Sequence, residues 1–84
     1  MSTTGPRSWL VRSPSDLGRA IAGIRAVRRL RQEDLATETG IDRTYLAKLE
    51  AGASSIQLER ALRALRRMGA TVTITLVESD GEKD

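Results

Sequence analysis

Apolar residues recur at spacings of three and four along most of this chain, then switch near its end to strict alternation. Leu17, Ala20, Ile21, Ile24 and Val27 form a first helical stripe. Ser13-Pro14-Ser15-Asp16 supplies its start, with Ser13 as N-cap, Pro14 at the first helical position and Asp16 completing a capping-box pattern. The helix is expected to end near Arg28 or Arg29, with Leu30 tucked under the next one. Gly18 and Gly23 weaken it by roughly 1 kcal/mol each against Ala, and leave room for another helix to approach closely.

The stretch QEDLATETGIDRTYLAKLEAG, Gln32 to Gly52, reads as two short helices about a tight turn. Gln32 to Thr39 is the first, broken at Gly40, which can take the left-handed conformation that the turn demands. Asp42 caps the second, Arg43 to Glu50, and Gly52 ends it. Leu35, Ala36, Leu46 and Leu49 face inward, and Ala36 is small because two steeply crossed helices nearly touch there. A pair crossed in this way across a short glycine turn is what a helix-turn-helix DNA reader needs. Ser54-Ser55 offers a further cap, and Ile56, Leu58, Ala61, Leu62, Leu65 and Met68 mark a fourth helix that Gly69 stops. Its outer face carries Arg60, Arg63, Arg66 and Arg67.

From Ala70 to Val77 the period is two: Val72, Ile74 and Leu76 alternate with Thr71, Thr73 and Thr75, which predicts a strand. A strand's backbone needs a partner. The expected one is the same strand of a second copy, antiparallel across a two-fold axis, with Val72, Ile74 and Leu76 as dimerisation residues. The competing partner is a hairpin arm at residues 8–12, which is short and interrupted by charge. Met1 to Arg12 lacks a helical period and reads as a mobile arm, in which Trp9-Leu10-Val11 is a strap on the domain or a short strand or partner contact. The expected organisation is an arm over 1–12, a helix-turn-helix unit over 13–69, a dimerisation strand over 70–78 and a disordered acidic tail over 79–84.

Charge adds a partner class. The last seven residues carry four acids and one Lys, a net −3, so the remainder holds 13 basic and 7 acidic groups, a net +6. A basic body suits a polyanion. The chain has no Cys, hence no disulfide or thiolate metal site, and no His, the usual general base and metal ligand. No carboxylate pair sits in a plausible cleft, so no enzyme, cofactor or metal is expected. No apolar run could span a bilayer and the N-terminus lacks a signal-peptide core, so a cytoplasmic, nucleoid-associated protein is expected.

Advancing the second short helix by about 100° per residue puts Thr44, Ala47, Lys48 and Ala51 opposite the buried leucines, with Arg43 at the leading edge and Tyr45 flanking the leucines. Arg43 and Lys48 can donate to guanine, and the Thr44 methyl can meet a thymine methyl. Gln32, at a helix N-terminus, can bond a phosphate, and Arg31, Ser54 and Ser55 flank the same surface. Arg25 and Glu50 read as a structural ion pair that holds this helix against the first.

The pattern Arg25-x6-Gln32-x2-Leu35-Ala36-x3-Gly40-Ile41-x4-Leu46-x2-Leu49-Glu50 resembles the Xre/Cro-type helix-turn-helix domain of phage and bacterial repressors, over residues 13 to about 69. The Ser-Pro start, the helix spacings and the lone C-terminal strand look closer still to the HipB-type antitoxins. That resemblance implies a mainly α, lambda-repressor-like bundle, with one C-terminal strand pairing across a homodimer. It implies a palindromic double-stranded DNA operator, autorepression, neutralisation of a HipA-type serine/threonine kinase toxin, and a tail linked to proteolytic turnover. It assigns base reading to Arg43, Thr44 and Lys48 and phosphate contact to Gln32. Four residues depart from the pattern: Thr39 stands where an apolar residue is common, Arg29 where Gly often closes the first helix, and Asp42 and Tyr45 prevent transfer of an operator sequence. The rival functions are a stand-alone Xre-family or phage-type regulator without a toxin, and a protein-interaction module that has lost DNA binding.

Overall fold

The computed structural model describes residues 7–53 and 55–77. The expected acidic tail, residues 1–6 of the expected arm and Ser54 lie outside them. The chain runs β1 (Arg7–Val11), α1 (Pro14–Arg28), α2 (Gln32–Thr39), α3 (Arg43–Glu50), α4 (Ile56–Arg67) and β2 (Val72–Leu76). It is a mainly helical bundle with one small antiparallel sheet.

Local chemistry sets the helix ends. The Asp16 amide donates to the Ser13 hydroxyl at 3.3 Å, and the Asp16 carboxylate accepts from the Arg12 amide at 2.9 Å, so both sides of the α1 start are closed. At the other end Arg29 takes the left-handed conformation, φ 57° and ψ 40°, and the Leu30 amide bonds back to the Arg25 carbonyl at 2.9 Å. An arginine thus does the work usually given to glycine. Gly40 closes α2 at φ 77°; a Cβ there would meet nothing within 4 Å, so the backbone angle alone demands glycine. Thr39 has a use at this turn: its hydroxyl donates to the Leu35 carbonyl at 2.8 Å and accepts from the Ile41 amide at 3.3 Å.

The core is small: Val11, Ala20, Ala36, Leu46, Leu62 and Leu76 are its buried apolar residues. Leu46 is the plug of α3, at 2% exposure, and Ala36 lies below it on α2. Gly18 lets α1 touch the end of α3. A Cβ on Gly18 would collide with the Leu49 carbonyl oxygen and come within 2.9 Å of that of Glu50. Gly23 admits no helix; it seats the Trp9 indole, whose ring atoms lie 2.9–3.1 Å from where its Cβ would be.

Two expectations need correction. The expected mobile arm contains β1, and β2 is not an orphan: the two pair antiparallel within one chain, Trp9 opposite Ile74 and Val11 opposite Val72. Trp9 and Val11 turn inward, and burying them stabilises the arm as a strand despite its poor alternation. Leu76 is buried and Val72 and Ile74 are half-buried, so the three expected dimerisation side chains serve their own domain. Arginines clamp both ends of the sheet, Arg66 donating to the Arg12 carbonyl at 2.7 Å and Arg28 to the Val77 carbonyl at 3.1 Å. The expected fourth helix forms as α4, but its apolar stripe is thinly covered. Of its apolar stripe only Leu62 is buried and Leu58 and Leu65 are half-buried, while Ile56, Ala61 and Met68 stay exposed.

Candidate nucleic-acid interface

The recognition surface is built on α3, whose position is fixed from three directions. At its start the Asp42 carboxylate accepts from the Tyr45 amide at 3.2 Å, which orders the first turn. On its inner side Leu46 enters the core. At its end Glu50 meets Arg25 in a bidentate pair, Nε to Oε2 at 2.6 Å and Nη2 to Oε1 at 2.8 Å. With α3 so held, Arg43, Thr44 and Lys48 stand exposed on its outer side, and Ala47 between them is half-buried. Two cations and a hydroxyl-methyl pair projected from one rigid helix can meet base edges in a major groove.

The Arg25–Glu50 pair extends further than two residues. The third guanidinium nitrogen of Arg25 donates to the Leu30 carbonyl at 2.7 Å, and the Gln32 amide donates to Glu50 Oε1 at 3.0 Å. One carboxylate therefore ties α1, the α1–α2 link, the start of α2 and the end of α3 together. The Glu50 side chain is 8% exposed and that of Arg25 20%. The Arg25 hydrogen bonds hold the Glu50 carboxyl below the ordinary glutamate range, against burial, which pushes it up; Gln32 adds to the lowering. The same pair raises the Arg25 guanidinium.

The expected phosphate contacts fare unequally. Gln32 spends one amide hydrogen on Glu50 and keeps the other, at the half-buried start of α2. Arg31 is engaged by Asp34, Nε to Oδ2 and Nη2 to Oδ1, both at 3.1 Å. That engagement keeps the Asp34 carboxyl below its usual range. The pair is exposed, so a phosphate can exchange with Asp34 at little cost. Ser55 caps α4, its hydroxyl accepting from the Leu58 amide at 3.2 Å and keeping its own hydrogen to donate. Ser54 lies outside the described residues.

Sequence reasoning missed three participants. Leu30 contributes a carbonyl, for which the sequence carries no signal. Asp34 sits three residues after Arg31, a helical spacing that was available to be read. Tyr45, 55% exposed, does not simply flank the buried leucines. Its ring walls a hollow of about 210 Å³ shared with Lys48, Leu49, Ala53, Ser55 and Leu58.

The helix-turn-helix family profile matches residues 24–74, more than half the chain, from the middle of α1 into β2. The chain belongs to the Xre/Cro-type helix-turn-helix family. It is also similar to y4mF of Sinorhizobium fredii, described as an uncharacterised HTH-type transcriptional regulator. The two are 30% identical over 64 residues, covering 76% of this chain and 84% of that protein. No solved structure matches. Among the described residues no helix is long and apolar enough to cross a membrane.

Proposed function

We propose that this chain is a sequence-specific transcriptional repressor that grips a two-fold DNA operator as a homodimer. Family membership supports a DNA-binding transcriptional regulator in general. The observation that carries the specific reading is the outer face of α3. Arg43 and Lys48 are exposed and make no ion pair among the described residues, whereas Arg19, Arg25 and Arg31 each have a carboxylate. Free cations on an anchored helix are available to bases. Arg43, Thr44 and Lys48 read sequence; Gln32 and Ser55, with Arg31 once it leaves Asp34 and with Ser54, hold phosphates. Arg43→Ala should cost about 1–3 kcal/mol at the cognate site and leave binding to random DNA unchanged. An equal loss on both would remove Arg43 from the base-reading set.

The dimer reading now rests on different features from those read in the sequence. Met68 is 73% exposed and Val77 68%, with Ile56 and Leu10 also uncovered, which is costly surface for a small monomer. Among the described residues one edge of β2 is taken by β1 and the other has no strand. Backbone pairing of the two free β2 edges would join two copies and set two α3 helices about 34 Å apart for successive major grooves. Sedimentation at micromolar concentration tests this, and a monomer defeats it.

The Ser-Pro start of α1 and the helix spacings are what remain behind a HipB-type antitoxin reading, with a HipA-type serine/threonine kinase as its partner; the lone C-terminal strand drops out, because β2 pairs with β1 within the chain. A kinase-like reading frame beside this gene, with co-purification of its product, would support that assignment. Without such a neighbour, the stand-alone regulator is the better description.

A further inference from the structure

Five of the twelve arginine side chains have a partner among the described residues. Arg19, Arg25 and Arg31 face carboxylates, and Arg28 and Arg66 donate to backbone carbonyls. Arg60, Arg63 and Arg67 are different: all three are exposed on α4, and no hydrogen bond or ion pair reaches them among the described residues. Their spacing of three and four places them in one row, on the side opposite Leu58, Leu62 and Leu65. The row spans about 10 Å at 1.5 Å rise per residue.

The chain carries a complementary row. Glu78, Asp80, Glu82 and Asp84 occur at every second position of the last seven residues. An extended segment sets such residues on one side, about 7 Å apart, which matches the roughly 6 Å between Arg63 and Arg67.

The place where this segment leaves the domain selects which copy it meets. The Val77 carbonyl is fixed by Arg28, at the far end of β2 from α4. Its own α4 is therefore behind it by the length of the strand, roughly 17 Å. In an antiparallel pairing of two β2 edges the geometry reverses. Each Val77 then lies beside the start of the partner's β2, which joins directly to the C-terminal end of the partner's α4. Seven extended residues reach about 24 Å, ample for the row.

We propose that the acidic segment Glu78–Asp84 of each copy lies along the Arg60–Arg63–Arg67 row of its partner and fastens the dimer electrostatically. The inference rests on the dimer reading above. Each of four exposed ion pairs per dimer is worth a factor of about two. The test is the dimer dissociation constant from sedimentation equilibrium, for the full chain and for a chain ending at Val77, at about 50 mM and about 1 M salt. The truncated chain should dimerise about tenfold more weakly at low salt and equally at high salt. Arg63→Glu with Arg67→Glu should reproduce the loss, with unchanged circular dichroism, and adding Asp80→Lys with Glu82→Lys should restore tight dimerisation. A dimer indifferent to truncation at low salt overturns the proposal and leaves the dimer reading intact; a full chain that is monomeric throughout overturns both. A segment folded onto its own α4, or arginines reserved for DNA, would likewise leave dimerisation unchanged on truncation.

Discussion

Glu50→Ala is the most informative single perturbation of this domain, because one carboxylate holds four elements. The substitution removes two hydrogen bonds from Arg25, at 2.6 and 2.8 Å, and one from Gln32, at 3.0 Å. It leaves the guanidinium with one partner, the Leu30 carbonyl. Removing one member of a buried pair typically costs about 3–5 kcal/mol, since the other charge stays desolvated. The Arg25 side chain is 20% exposed, so water recovers part of this and a cost of about 2–4 kcal/mol is expected. A chain of this length has a total stability of roughly 4–13 kcal/mol, so the variant should lose a large fraction of it. Urea unfolding followed by far-UV circular dichroism, at fixed protein concentration, measures the change as a lower midpoint with the same slope. Arg25→Met combined with Glu50→Leu should recover most of the loss, because apolar replacement of both partners leaves no orphaned charge. A cost below about 1 kcal/mol for Glu50→Ala would refute the claim that this pair sets the position of α3.

Three other expectations follow from particular contacts. Arg29→Gly should stabilise the domain by about 0.5–1 kcal/mol, read as a higher thermal midpoint, because the left-handed conformation strains any residue with a Cβ. Gly18→Ala should destabilise by about 1–3 kcal/mol in urea despite its gain in helix propensity, because the new methyl meets two carbonyl oxygens of α3 that cannot rotate away. Acid should unfold the protein in a way that depends on Glu50. Its carboxyl titrates below the ordinary value of 4.5, so its stabilisation is complete above that pH and fades as pH falls further. A stability profile of Glu50→Gln should be flatter below pH 4.5 than that of the native chain.

The helices were legible because their ends are written in residues that act locally. Ser13 and Pro14, Gly40 and Asp42, and Ser55 and Gly69 each bring a cap or a backbone angle that depends little on the rest of the fold. The β1 strand was hard to read because its arm is short and interrupted by charge, and its stability comes from partners 61 and 65 residues away in sequence, Val72 opposite Val11 and Ile74 opposite Trp9. Period alone showed that α4 has an apolar side; it did not show that its own domain would cover little more than Leu62. At the site, the outward face of α3 followed from helix geometry. The diversion of Arg31 to Asp34 did not, because an exposed guanidinium can meet an outside phosphate or a carboxylate three residues on with similar ease. Ile74→Pro would disturb a dimer, yet it would equally break the pairing opposite Trp9 within one chain.

The central claim is that the exposed face of α3 reads DNA sequence. Selection of a random duplex library by the purified chain, followed by affinity measurement on the winners, tests it most directly. The expected result is enrichment of an inverted repeat with half-sites about one helical turn apart, bound at least about a thousandfold more tightly than random duplex. Arg43→Ala and Lys48→Ala should each remove that preference. A library that emerges without any enriched sequence, or an enriched site on which both variants bind as well as the native chain, would contradict the claim.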